Sequence, residues 1–391
     1  MDIPTCDVAV VGGGPAGLLA ALLVGRTGAD AVLVAPPPRR DPRTTALLDG
    51  SVAILRELGV WSGLEAVAAP LRKLRIVDGG RRLIRAREVM FDSRELGLAA
   101  FGWNVPNAAL VDALTAALAA SPTVRIVARE AVGARRSEDS ATVLLDDDSE
   151  LTTKLVIAAD GRRSAMREAA GLTLRACPVD QTALAFTVAH DRDHQGVSTE
   201  IHGEEGPFTL VPLPGRRSSV VWVVKPARAE ALLGLTPAEL GAAATAKSGR
   251  LLGAMTVEGG VGSFPIVVGA AARVAGGRTL LVGEAAHILP PIGAQGLNLG
   301  VRDAARAAKV VAEARAAGRD VGGDAALRAY ALARSADVWT RTAATDLLNR
   351  SLMTRLLPAH AARGLGLAAL AAIGPLRRVV MREGLVGGRA F

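Results

Sequence analysis

The chain has 391 residues, half of them apolar, a formal net charge of +8 and two cysteines. Its length suits two domains sharing an interface, and arginines scattered without a basic run interleaved with aromatics exclude a nucleic-acid binder, leaving an anionic cofactor or an anionic lipid surface open. Cys6 and Cys177 lie far apart without metal-ligand spacing, so no metal site is expected and a reducing compartment is.

The first predicted element is an apolar strand, Cys6 to Val11, rich in valine as a buried parallel strand is. It runs into Gly12-Gly13-Gly14-Pro15-Ala16-Gly17, and helical patterning follows from Leu18 to Arg26. Strand, Gly-x-Gly-x-x-Gly and helix in that order bind a dinucleotide. Gly12 permits the tight turn, Gly14 lets backbone approach a pyrophosphate, Gly17 lets the helix pack on the sheet, and the helix N-terminal amides face the phosphates. The same glycines split the longest uncharged stretch, Val8 to Gly25. Neither piece reaches the ~20 helical residues that a bilayer requires, and no signal-peptide cleavage site follows. The expectation is a cytoplasmic protein, with a peripheral contact on the inner face of the membrane left open.

The second strand, Ala31 to Val34, should end in an acidic residue that bonds the adenosine ribose. Ala35 stands there instead, followed by Pro36-Pro37-Pro38-Arg39-Arg40-Asp41. Asp41 is too far along to substitute, so the contact falls to backbone, water or a neighbour such as Arg43. Residues near 71–100 read as strand-rich, with a turn at Asp78-Gly79-Gly80, and Asn107 opens a helix. A further apolar strand, Lys154 to Ala159, ends in Asp160-Gly161, with Ser164 and Arg167 at a helix start.

From about 177 to 266 short alternating runs recur, with a hairpin signal at Pro214-Gly215-Arg216-Arg217 and a helical excursion from Ala227 to Lys247. This segment reads as a mostly antiparallel sheet roofing a substrate pocket. His190, His194 and His202 lie in it without a metal or catalytic pattern and read as satisfied or solvent-facing. A last apolar strand, Thr279 to Val282, ends in Gly283-Glu284-Ala285-Ala286-His287. Pro290-Pro291-Ile292-Gly293-Ala294-Gln295-Gly296-Leu297-Asn298-Leu299-Gly300 follows, then a helix from about Arg302. For His287 a structural and a catalytic role both stay open. In an open α/β sheet ligands sit beyond the carboxyl ends of strands, so three such ends can converge on one nucleotide.

Gly-x-Gly-x-x-Gly, Asp-Gly-x-x-Ser-x-x-Arg and Gly-Glu-Ala-Ala-His with Pro-Pro-x-Gly, in this order, resemble the single-component flavoprotein hydroxylases of the p-hydroxybenzoate hydroxylase fold. The resemblance covers the chain to about residue 350. It implies an α/β fold: a Rossmann-like FAD-binding domain (1–70, 101–176 and 267–350), a second, mostly antiparallel β-sheet substrate domain (71–100 and 177–266), and a C-terminal helical segment (351–391). By resemblance, Gly12, Gly14 and Gly17 hold the FAD pyrophosphate, and Ala16, Gly283 and Pro291 count among the cofactor-binding positions. Arg43 would reach the adenosine ribose or phosphates, and Asn107 would touch the flavin side. Asp160 is tied to FAD and NAD(P)H use, and Glu284 would accept from ribityl or ribose hydroxyls. Gly296, Leu297 and Asn298 would present amides and a side chain to the flavin pyrimidine edge, where donors stabilise negative charge on the reduced ring. Two departures stand out: Glu284 where Asp is commoner, and Ala294 where a glycine is common.

Further segments resemble the ubiquinone-biosynthesis hydroxylases: Arg43-Thr44-Thr45-Ala46-Leu47 with Ser51 to Leu55, Asp180-Gln181-Thr182-Ala183, Tyr330 through Arg334 to Asp337, Thr345 to Arg350, and Gly374 to Arg378 with Met381 to Gly384. The resemblance implies that NADPH or NADH reduces FAD. Dioxygen then gives a C4a-hydroperoxyflavin, whose distal oxygen is attacked by the ring of a polyprenyl phenol. It also implies a place in a ubiquinone-biosynthesis complex. No residue is named as catalytic base. Three alternatives stay open: a tailoring hydroxylase of a soluble aromatic metabolite, a non-catalytic flavin-binding scaffold, and a flavin reductase of prenyl double bonds.

Overall fold

The computed structural model describes residues 5–38, 41–79, 88–203, 205–353 and 373–382. Strand β1 (Cys6–Val11) is the axis of the first sheet, and its last four residues are at most 3% exposed. It pairs in parallel with β2 (Ala31–Val34) on one side and β11 (Glu150–Ala158) on the other. Parallel pairing needs a crossover, which α1 (Pro15–Gly25) supplies. Beyond β2 lies β8 (Val124–Val127), reached through α3 (Asn107–Ala119). Beyond β11 lie β18 (Thr279–Leu281) and β17 (Ala275–Gly276), while β9 (Ala131–Arg136) and β10 (Ala141–Leu145) extend β11 as an antiparallel ribbon. Cys6 belongs to this core, and burial pushes its thiol up to about 11.

A small sheet of β3 (Thr44–Leu48), β4 (Ala69–Pro70) and β7 (Gly102–Pro106) sits beside the first, with α2 (Asp49–Glu57) leading out of β3. Among the described residues the third sheet has eight strands and is antiparallel in all but one of its pairings. Its edge is β5 (Lys73–Asp78) and β6 (Val89–Asp92); its body is β12 (Leu174–His190), β13 (Val197–Gly203), β14 (Gly206–Leu213), β15 (Arg217–Val224) and β16 (Met255–Ala271), closed by β19 (His287–Ile288). Among the described residues only β13 with β5 is parallel there. Period-two alternation gives this sheet two apolar faces. Leu184, Phe186, Val220 and Trp222 pack under α5 (Pro226–Leu233) and α6 (Pro237–Lys247). Ala183, Val221, Val223, Ile266 and Val268 form the opposite face. Phe264, paired with Ala183, shares that second face, and its ring lies 4.6 Å under the Arg43 guanidinium. The side chain of Asn104 on β7 also donates to the Pro212 carbonyl oxygen at 2.9 Å. The second face is therefore the one turned toward the nucleotide sheet.

Helix α7 (Gln295–Ala316) packs on α1, and α8 (Asp324–Met353) on α7. The helix expected from about Arg302 begins at Gln295. Gly293 and Ala294 both take positive φ, and that turn sets the chain into a helix two turns earlier than the glycines suggest. Of the C-terminal segment, α9 (Gly374–Met381) is described; Met381 packs with Val89, Phe91 and Phe101, and Arg377 pairs with Glu95 at 2.5 Å. Residues 354–372 and 383–391 lie outside the described set. Among the described residues, no helix is long and apolar enough to cross a membrane.

Candidate functional site: a dinucleotide cradle

The ends of β1, β11 and β18 meet. Gly12 has φ +122, and a Cβ there would overlap the Ala159 carbonyl oxygen and stand 2.8 Å from the Asp160 nitrogen. A Cβ on Gly17 would overlap the Gly12 carbonyl oxygen, and one on Gly283 would meet the Ala16 Cβ at 3.3 Å. Gly14 is different: it is exposed, caps α1 without a side-chain hydrogen bond, and has nothing within 4 Å of its Cβ position. Tight glycines thus surround one open glycine at a helix N-terminus, the arrangement an anionic diphosphate needs.

Asp160 shapes the β11 end. Its carboxylate accepts from the Ser164 hydroxyl at 2.5 Å and from the Met166 amide at 3.1 Å. Burial pushes its pKa up, and those two donors pull it partly back. At the β18 end, Gly283 takes φ +63 and Glu284 stays 55% exposed, its nearest cation being Arg162 at 3.7 Å. Pro291, Gly293 and Gly296 are exposed along the loop that leads into α7, and Leu297 is half-buried. The α7 N-terminus has no side-chain cap, so its first amides remain available.

Three residues expected at the cofactor have hydrogen-bond partners within the protein. The side chain of Asn298 is only 2% exposed and has no donor left for a ligand. Its Oδ1 accepts from the Leu48 amide at 2.8 Å and the Ser51 hydroxyl at 2.7 Å; its Nδ2 donates to the Ala46 and Ala294 carbonyl oxygens at 2.8 and 2.6 Å. Asn298 therefore ties the α7 N-terminus to β3 and α2. Arg43 is held by Asp41, with Nε at 2.9 Å and Nη2 at 2.7 Å from its oxygens. Asn107 donates to the same carboxylate at 2.9 Å and accepts from Thr45 at 2.5 Å. Asp41 organises both residues, although sequence distance from Ala35 argued against a role. Burial raises its pKa, but Arg43 and Asn107 lower it further, so it stays ionised.

Sequence reasoning also passed over Asp303. It is 0% exposed and accepts from the Gly283 amide at 3.0 Å, His287 Nε2 at 2.7 Å and Arg334 Nε at 2.7 Å. Burial pushes its carboxyl up, yet Arg334, His287 and the Gly283 amide hold it at about 2. An acidic residue within the apolar stripe of α7 was the available signal. His287 is 1% exposed, which favours its structural reading. His190 is bonded to Ser218 and the Arg192 carbonyl oxygen, His194 to that of Leu213, and His202 to Glu200. Beside the third sheet, Pro42 and Arg43 face Ala185, Thr187, Ser219 and Gly259 across a cavity of about 250 Å³.

A family model described as FAD binding domain matches residues 5–345. The chain belongs to this family. It is 33% identical to the ubiquinone hydroxylase UbiL of Rhodospirillum rubrum, over 97% of this chain and 89% of that protein. It is 30% identical to the 3-demethoxyubiquinol 3-hydroxylase of Escherichia coli, over 97% and 98% of the two chains. The p-nitrophenol 4-monooxygenase PnpA of Pseudomonas putida has the same fold, with a TM-score of 0.80, 22% identity and full coverage of both chains. In this flavoprotein the cradle fits FAD: Gly14 leaves room for the diphosphate, and the uncapped helix N-termini of α1 and α7 offer amides to its anionic groups.

Proposed function

We propose that this flavoprotein is an NAD(P)H-dependent monooxygenase that hydroxylates an aromatic ring carbon of a polyprenyl phenol on the route to ubiquinone. The observation that carries the reading is the near full-length similarity to UbiL, with the dinucleotide cradle and both domains inside the matched span. Bound FAD, reduced by the nicotinamide, supplies the activated oxygen. The chain's part is to bind, orient and exclude water. Gly12, Gly14, Ala16 and Gly17 form the diphosphate turn, with Asp160, Gly283, Glu284 and Pro291 at the neighbouring strand ends. Gly296 and Leu297 offer backbone amides at the α7 N-terminus. The face built by Ala183, Val221, Val223, Ile266 and Val268 gives an apolar ring and tail a dry wall. The cavity beside Arg43 holds about 250 Å³, below the roughly 300–1,000 Å³ of a typical ligand pocket. A substrate drawn from a bilayer suits a peripheral contact, and Val379 and Val380 stand exposed beside Arg378 on α9.

The test is expression in an Escherichia coli strain lacking its 3-demethoxyubiquinol 3-hydroxylase, and deletion of the gene from its own host, with quinones extracted and weighed by mass spectrometry under ¹⁸O₂. The expected result is a host that accumulates a precursor one hydroxyl short, and label appearing in the quinone when the gene is restored. An unchanged quinone profile in the deletion host would overturn the assignment.

A further inference from the structure

Glu284 reaches outward from a turn whose backbone is held from several directions. Its side chain is 55% exposed, while Gly283 and Ala285 on either side of it are buried. The Tyr330 hydroxyl on α8 donates to the Leu281 carbonyl oxygen at 2.6 Å, at the end of β18. The next amide, that of Val282, donates to the Ala158 carbonyl oxygen at 2.9 Å. Arg167, on the short helix α4 (Ala165–Ala169), donates to the Ala285 carbonyl oxygen at 3.2 Å. Packing adds to these bonds. A Cβ on Gly283 would meet the Ala16 Cβ at 3.3 Å, and one on Gly300 of α7 would stand 3.2 Å from the Gly283 Cα and 3.4 Å from the Ala16 Cβ. Gly283, Gly300 and Ala16 of the diphosphate turn therefore lie against one another.

One side chain closes the turn. Asp303 Oδ2 accepts from the Gly283 amide at 3.0 Å and from His287 Nε2 at 2.7 Å, so a single oxygen joins the two ends of the stretch that carries Glu284. The other oxygen takes Arg334 Nε at 2.7 Å. Burial works against the ionised form, but Arg334 and His287 outweigh it and hold the carboxyl at about 2. An ionised carboxylate only accepts, so His287 is the donor through Nε2. Rigid support matters because of the residue supported. A glutamate has one more rotatable bond than an aspartate, and its carboxylate sweeps a wider volume. Fixing the backbone at both ends of the turn narrows that volume before any ligand arrives, so less freedom is lost when a ligand hydroxyl is bound.

We propose that Asp303 is a positioning residue for the cofactor: by tying both ends of the turn from Gly283 to His287 to α7, it fixes the direction in which Glu284 presents its carboxylate to the hydroxyls of bound FAD. This rests on the FAD cradle and on the Glu284 contact within it, and not on which ring is hydroxylated. The experiment is a double-mutant cycle on FAD affinity, read by fluorescence titration of apoproteins whose folding is first checked by circular dichroism. The proteins are the parent, Asp303→Asn, Glu284→Ala and the doubly substituted chain. Asp303→Asn should weaken FAD about tenfold when Glu284 is present, and at most about twofold once Glu284 is alanine. A merely structural Asp303 would cost the same factor in both backgrounds, because a general distortion reaches every contact of the cradle. Equal factors overturn the proposal, and so does an Asp303→Asn protein that binds FAD as the parent does. Should Asp303→Asn not fold, His287→Leu goes through the same cycle with the same expectations; it frees one end of the turn and leaves Asp303 its bond to Arg334. A Glu284→Ala protein that binds FAD normally overturns the positioning role and leaves the cradle standing, whereas a parent that takes up no FAD overturns both.

Discussion

Two alanine substitutions three residues apart should separate packing from cofactor binding. Gly17 lies inside α1, where alanine would ordinarily gain about 1 kcal/mol of helix propensity. Its Cβ, however, would overlap the Gly12 carbonyl oxygen, stand 3.0 Å from that carbonyl carbon and 3.2 Å from the Ala159 Cβ. Backbone atoms cannot rotate away, so α1 must retreat from β1, and overpacking of this kind costs roughly 1–3 kcal/mol, occasionally more. The clash outweighs the propensity, and Gly17→Ala should lose about 2 kcal/mol of stability with or without cofactor. Gly14 has φ −75 and ψ 168, which any residue adopts, and its Cβ position meets nothing within 4 Å. Gly14→Ala should therefore leave the apoprotein's urea midpoint within the scatter of surface substitutions, about 0.5 kcal/mol. The added methyl projects where the diphosphate passes. An overlap of roughly 1–3 kcal/mol translates into FAD affinity weakened roughly 5- to 150-fold. Urea unfolding of both apoproteins and fluorescence titration with FAD read the two quantities independently. If Gly14→Ala binds FAD as the parent does, or destabilises the apoprotein as much as Gly17→Ala, the open glycine is not a cofactor cradle.

Asn298→Ala should cost about 3 kcal/mol by leaving the Leu48 amide and the Ala46 carbonyl oxygen unsatisfied, seen as a lower urea midpoint in the apoprotein. Glu284→Ala, at a side chain 55% exposed, should leave the midpoint unchanged within about 0.5 kcal/mol while weakening FAD roughly 5- to 30-fold by titration. Asp303 is held at about 2 against a usual 3.8, so it contributes on the order of 2 kcal/mol above pH 4 that fades as pH falls toward 2. Unfolding free energies of the parent and of Asp303→Asn should differ most near neutrality and converge in acid; a gap that widens on acidification would contradict the buried pair.

The strand ends were readable because their chemistry is local. A glycine that must admit a diphosphate or take positive φ announces itself within a few residues, as at Gly12 and Gly283. The side chains behaved otherwise. Asn298 lies 250 residues from its Leu48 partner, and nothing near either position marks the pairing. Asp41 was set aside by counting from Ala35, yet the chain after β2 folds back to place it on Arg43 and Asn107. The start of α7 was misjudged because Gly296 and Gly300 look like loop residues. Gly300 is a glycine inside the helix because a Cβ there would stand 3.2 Å from the Gly283 Cα, a close approach that only the folded arrangement reveals.

The clamp formed by Asn298 also sets an order for biosynthesis. Its partners Ala46, Leu48 and Ser51 leave the ribosome early, whereas α7 emerges only after about three quarters of the chain has been made. β1 likewise waits for β11 before its second edge is covered. Nascent chains shorter than this must expose an incompletely covered valine-rich strand, a species that invites aggregation and chaperone capture. The cradle that receives FAD is therefore complete only once α7 has been made.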